Sequence, residues 1–218
     1  MHVLIIRHGA LGDTLMILPG LWELTGKAAV TFVGRAPGLY WIRGRARQVL
    51  DLESAGWHRL FMSNPQEVQL PVSRADRVVA FLQDADGRVK RNLKEGFPCA
   101  QLARFPAFPP KESGEHVASY LARCLQSAGL PIDPGRALNR PGNAPILESP
   151  PAFKSRRGVV FHPGSGDQGK NHPPEFWIRL IEVLQSEGKE AFSPLVVVLG
   201  PAEESLVPLV QRHPEVVH

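Results

Sequence analysis

The chain of 218 residues is 43% hydrophobic and 21% charged, with a formal net charge of +4, a composition that supports a buried core and excludes a disordered or collagen-like polymer. No run approaches the ~20 apolar residues of a membrane span, and no basic segment followed by an apolar stretch opens the chain as a secretion signal would. Cys99 and Cys124 are too few for a disulfide framework and fit no metal-ligand spacing, so the expectation is a cytoplasmic protein in a reducing compartment, with neither metal nor cofactor.

The length exceeds one ordinary domain and falls short of two complete ones. Val3 to Ile6 are uninterrupted apolar residues, as in a strand buried on both faces of a parallel sheet. Arg7-His8-Gly9-Ala10-Leu11-Gly12-Asp13 follows, a loop in which Gly9 and Gly12 permit a tight turn and close backbone approach. From Thr14 onward, Leu15, Leu18, Leu21, Trp22 and Leu24 recur at helical spacing, which predicts one helix with Asp13 at or near its N-cap. Ligands of open α/β sheets sit beside such turns, at the carboxyl ends of the strands.

Ala28 to Val33 reads as the next strand and Gln48 to Leu52 as another. Between them Arg35, Arg43, Arg45 and Arg47 surround Leu39, Tyr40, Trp41 and Ile42. That stretch is either a short amphipathic helix packed on the sheet or a basic, aromatic surface for an anionic membrane or phosphorylated lipid head group. The arginines come without a nucleic-acid recognition motif, so nucleic acid is not an expected partner. Arg77 to Leu82 is a further strand, followed by Gln83-Asp84-Ala85-Asp86-Gly87 and a helix to about Glu95. In that loop Asp86 is expected to cap the helix and Asp84 to face an acceptor groove; a lone Asp-x-Asp is weak evidence for a metal. His116 to Ala128 carries Val117, Tyr120, Leu121, Cys124 and Leu125 on one face and stops at Gly129 and Pro131, an amphipathic helix.

Strands alternating with helices imply a doubly wound parallel sheet. Pro131, Pro134, Pro141, Pro145, Pro150 and Pro151 mark a linker. The domains are accordingly placed at 1–135, a proline-rich linker at 136–157, and a second unit at 158–218 in which Gly158–Phe161, Pro174–Glu187, Leu195–Leu199 and Ala202–Arg212 read as strand, helix, strand, helix.

Three runs in order carry a family resemblance: Ile5 to Pro19; Val159-Val-Phe-His162-Pro-Gly164-Ser165-Gly166 with Lys170-Asn-His172-Pro-Pro-Glu-Phe-Trp177; and Val196-Val-Val-Leu-Gly200-Pro-Ala-Glu203-Glu204. Together they resemble glycosyltransferase family 9, the lipopolysaccharide heptosyltransferases and their relatives. The resemblance implies a GT-B-like α/β fold of two Rossmann-like domains, the first holding a lipid-linked or core-oligosaccharide acceptor and the second a nucleotide-sugar donor such as ADP-heptose, with inverting transfer. It also implies work at the cytoplasmic face of the inner membrane. The family's later Asp-Ser/Thr-Gly-x-x-His-Leu-Ala motif is not matched, so the second domain is expected to be incomplete here, and an inactive acceptor-binding fragment is a second reading. A third comes from Arg7-His8-Gly9, which is also how a histidine phosphatase begins, with His8 as nucleophile.

Transfer to a hydroxyl needs a base for the acceptor proton and stabilisation of the departing diphosphate. The resemblance assigns the base to Asp13, whose bland alternative is a helix cap. On the acceptor side the candidates are Gly9, Gly12 and Asp84. On the donor side Gly164, Ser165 and Gly166 form a permissive loop whose amides suit phosphate oxygens, Lys170 brings a mobile positive charge, and Glu203 or Glu204 is placed to bind a ribose. The role of His172 stays open, since many relatives carry tryptophan nearby.

Overall fold

The computed structural model describes residues 1–63, 69–139, 158–164, 168–187, 194–212 and 216–217. They fall into two compact units, Met1–Leu147 and Glu148–His218. The first unit holds β1 (His2–Arg7), α1 (Leu11–Leu15), α2 (Leu18–Leu24), β2 (Ala29–Gly34), α3 (Leu39–Ile42), β3 (Gln48–Asp51), β4 (Arg77–Phe81), α4 (Arg88–Gly96), β5 (Gln101–Phe105), α5 (Val117–Ser127) and α6 (Pro134–Leu138). Its five strands are all parallel, in the order β3-β2-β1-β4-β5.

The central place of β1 explains its unbroken apolar run. Successive side chains of a strand point to opposite faces, so Val3 and Ile5 join Leu21, Leu24, Leu121 and Leu125 in one core, while Leu4 and Ile6 join Trp57, Leu60, Val89 and Leu93 in the other. The helix expected from Thr14 is two helices. Pro19 lies in the first turn of α2, where its missing N–H is harmless; within one continuous helix it would delete a hydrogen bond and clash with the turn before it. The N-cap of α1 is Ala10, and Asp13 stands three residues in.

Helix α5 ends at Gly129, where φ is +76° and an added Cβ would come within 2.5 Å of the Arg77 guanidinium. Arg77 Nη1 donates to the carbonyl of Ala128 at 2.7 Å, so a cation from β4 caps the helix C-terminus. Helix α6 packs on α2 and α5, which carries the first unit past the expected boundary at 135; residues 140–157 of the expected linker lie outside the described part. In α3 Ile42 is fully buried in the core, Tyr40, Arg43 and Arg47 are exposed, and Arg45 lies over the Trp22 ring at 5.9 Å. The amphipathic helix is therefore present.

The second unit holds β6 (Val159–Phe161), α7 (Pro174–Glu187), β7 (Leu195–Val197), α8 (Val207–Val210) and β8 (Val216–Val217). Its strands are parallel in the order β6-β7-β8. Ile181, Leu195, Val197 and Val210 form its buried core. The helix expected over Ala202–Arg212 is a 3₁₀ segment, Pro201–Leu206, followed by α8, because Pro208 restarts the helix in its own first turn. Among the described residues no helix is long and apolar enough to cross a membrane.

Candidate functional site

The loop after β1 is built around a carboxylate. Gly9 has φ +153°, and a Cβ there would lie 2.6 Å from Asp13 Cβ, so only glycine lets the backbone pass this close. The amide of Ala10 donates to Asp13 Oδ2 at 3.0 Å, and Thr14 Oγ1 donates to the Ala10 carbonyl at 3.2 Å. These bonds fix the turn and orient the half-buried carboxyl group at the carboxyl end of the central strand. Gly12 is different: nothing lies within 4 Å of where its Cβ would stand, so packing does not demand glycine there.

Beneath this turn lies Arg7, with no exposed surface. Its Nε donates to the Asp13 carbonyl at 3.0 Å and its Nη1 to the Ala107 carbonyl at 2.7 Å. Nη2 is buried without a partner among the described residues. The guanidinium lies 5.8 Å from the Phe81 ring centre and 5.6 Å from that of Phe108. Burial pulls the Arg7 pKa below its ordinary value, against the attraction of the Asp13 carboxylate. Phe81 is fully buried while Phe108 is 46% exposed. A residue that sequence pattern presents only as a spare charge thus ties the Asp13 turn to the loop after β5.

Beside it, at the ends of β1, β2 and β3, a pocket of about 390 Å³ is lined by His8, Arg35, Glu53, Ser54, His58 and Phe61. Arg35 pairs with Glu53. The 3₁₀ segment Trp57–Phe61 on its wall is held from α4: buried Asn92 donates through Nδ2 to the carbonyls of Arg59, Leu60 and Met62 at 3.0, 3.0 and 2.9 Å. Apart from His8, these pocket residues carry no short-range motif, since segments far apart in the chain meet only through the strand order.

Both loop aspartates serve the start of α4: Asp86 as expected, and Asp84, expected to face an acceptor groove, as well. Asp84 accepts from the amides of Val89 at 2.9 Å and Lys90 at 3.0 Å, so both its oxygens serve the first turn of α4. Asp86 accepts from the Arg88 amide at 3.1 Å and pairs with its guanidinium at 2.7 Å; that amide first, then the Arg88 charge, holds its carboxyl below the usual range. The geometry gives Asp84 a capping role.

In the second unit Ser165 and Gly166 lie outside the described residues. Gly164 is described, and a Cβ there would fall 1.8 Å from Glu203 Oε1. Glu203, only 6% exposed, accepts from the Gly200 amide through Oε2 at 2.8 Å, so one carboxylate clasps the loops that follow β6 and β7. Its neighbour Glu204 is exposed, as is Lys170 at the end of a short 3₁₀ turn. His162 Nδ1 lies 2.6 Å from the Val198 carbonyl; a carbonyl only accepts, so that nitrogen carries the proton. His172 stacks on Phe176 at 4.4 Å and meets the edge of Trp177 at 6.0 Å, which gives it a packing role at the start of α7.

Neither protein-family models nor curated proteins match the chain. Solved structures do. E. coli heptosyltransferase WaaC with ADP aligns at TM-score 0.58 and 15% identity, over 100% of this chain and 74% of that one. A glycosyl transferase family 9 protein from Veillonella parvula DSM 2008 aligns at 0.59 and 12%, over 97% and 67%, and E. coli ADP-heptose lps heptosyltransferase II at 0.54 and 15%, over 97% and 68%. The chain has the fold of family 9 glycosyltransferases. In this GT-B-like fold the Asp13 turn and the Gly164–Glu203 clasp both lie at carboxyl ends of parallel strands, where α/β folds bind ligands. Nothing in the fold or in these likenesses supports a histidine phosphatase: Arg7 is buried on backbone carbonyls and does not stand open beside His8.

Proposed function

We propose that this protein is an inverting glycosyltransferase that moves heptose from ADP-heptose to a lipopolysaccharide-core acceptor. The observation that carries the reading is the Asp13 turn: a carboxylate with Oδ2 on the Ala10 amide and no hydrogen bond to Oδ1 among the described residues, at the end of the central strand of a fold shared with heptosyltransferases solved with ADP and with ADP-2-deoxy-2-fluoro heptose. In this reading Oδ1 takes the proton from the acceptor hydroxyl as its oxygen attacks the anomeric carbon, and the bond to the donor diphosphate breaks with its electron pair leaving on phosphate oxygen. Lys170, with the amides of the loop from Gly164 through Ser165 and Gly166, balances the charge on the departing diphosphate. Glu204 is the exposed carboxylate suited to ribose hydroxyls, while buried Glu203 holds the loops. Gly9 shapes the acceptor side, and exposed Tyr40, Arg43 and Arg47 suit contact with the anionic cytoplasmic face of the inner membrane.

The test is transfer from ADP-heptose to heptose-free lipopolysaccharide by the purified protein. Asp13→Asn is expected to lower turnover by about a hundredfold or more, the scale of general-base catalysis, with ADP affinity kept. Turnover within about threefold of the parent rejects the base. Lys170→Ala should weaken ADP binding and leave adenosine, which has no phosphate, unaffected.

A further inference from the structure

We infer that Phe108, held over the buried Arg7 guanidinium, is the platform on which the acceptor sugar rests beside Asp13; the inference rests on the glycosyltransferase reading. The contacts form a single chain. Arg7 Nε binds the Asp13 carbonyl and Nη1 the Ala107 carbonyl, so one rigid planar group fixes both the base-bearing turn and the residue preceding Phe108. The ring lies 5.6 Å from the guanidinium carbon, yet it is 46% exposed where Arg7 has no exposed surface at all. The loop thus presents an aromatic surface to solvent at the end of β5 and anchors it from beneath by a cation, as a packing residue would not need.

Arg7 Nη2 is buried with no acceptor among the described residues. The charged or titratable groups acting on it are Asp13 from α1 and Tyr120 from α5, whose hydroxyl donates to the Pro106 carbonyl at 3.0 Å. An exposed aromatic face matches a sugar, which offers an apolar face of C–H groups. Phe108 sets acceptor affinity, and Arg7 is the positioning residue behind it.

The experiment compares Phe108→Ala and Phe108→Trp with the parent, using heptose-free lipopolysaccharide as acceptor and ADP-heptose as donor. Phe108→Ala should raise the acceptor KM about tenfold, with kcat and the donor KM within about threefold and the melting temperature unchanged. Phe108→Trp should restore the acceptor KM, and its indole emission should shift when the acceptor is added without donor. An acceptor KM unchanged in Phe108→Ala, or an indole unmoved by acceptor that the parent glycosylates, overturns the inference. Absence of transfer by the parent itself counts against the glycosyltransferase reading, and the indole titration then decides the platform alone.

Discussion

The two units use the same local device to different ends. In each, a carboxylate three residues into a helical turn reaches back to the N-cap amide, Asp13 to Ala10 at 3.0 Å and Glu203 to Gly200 at 2.8 Å, and in each it presses on a glycine, Gly9 or Gly164. It is half of a capping box, because neither Ala10 nor Gly200 has a side chain to return the bond. The difference is surroundings. Asp13 is partly exposed above a buried cation, whereas Glu203 is buried between two loops. A shared backbone role thus leaves one carboxylate open to a ligand and makes the other a clasp.

The comparison breaks most readily on kinetics against stability. Asp13→Asn should cost about a hundredfold or more in turnover, roughly 2.7 kcal/mol of transition-state stabilisation, with little change in melting temperature. Glu203→Ala should do the reverse, acting first on stability by about 1 kcal/mol, the scale of a lost cap. A thermal melt and a transfer assay on both variants decide it, and a Glu203→Ala protein as stable as the parent would remove the clasp. Next in size, Gly164→Ala forces a methyl group to within 1.8 Å of Glu203 Oε1, an overpacking worth roughly 1–3 kcal/mol. The double variant Gly164→Ala/Glu203→Ala should be less destabilised than the sum of the two, because the colliding group is gone.

The smallest effects separate the paired aspartates after β4. Asp84→Ala should lower stability by about 1 kcal/mol through loss of the bonds to the Val89 and Lys90 amides, while Asp86→Asn should change little at neutral pH. The sign of the pH dependence follows from the depressed carboxyl of Asp86. A carboxyl held low when folded stabilises above its unfolded pKa, near 3.9, and loses that contribution as the pH falls through the lower folded value. Any advantage of the parent over Asp86→Asn should therefore be seen above about pH 4 and vanish in stronger acid. An advantage that grows on acidification contradicts the assignment.

Much of the scaffold was legible because its signals are local. Helix α7 spans Pro174–Glu187 as read, and β2, β3, β4 and α5 differ from their expected limits by only a residue or so at either end, since apolar periodicity and Gly or Pro stops act within a few residues. Strand β5 was not, because Gln101-Leu-Ala-Arg-Phe105 is a short edge strand with polar residues on it, and pairing with β4 rather than composition defines it. At the site, Asp13 was visible through its glycine-flanked loop. The tie from Arg7 to Ala107 spans 100 residues, and no window of sequence contains it. The capping by Asp84 has the same root: its reach to the Val89 and Lys90 amides is set by the turn at Gly87, with φ +72°, not by distance along the chain.

Asn92 shows how narrow a chemical tolerance the pocket wall has. Its one amide nitrogen serves three backbone carbonyls, those of Arg59, Leu60 and Met62, and with Arg88 Nη1, which donates to the Phe61 carbonyl at 3.1 Å, it holds the segment that carries His58 and Phe61. Aspartate has almost the same shape, yet it would turn that donor into a charged acceptor facing three other acceptors. Spontaneous loss of ammonia from this one side chain would therefore alter the pocket beside His8 without deleting an atom from its lining. The longevity of that wall is a question of amide chemistry as much as of packing.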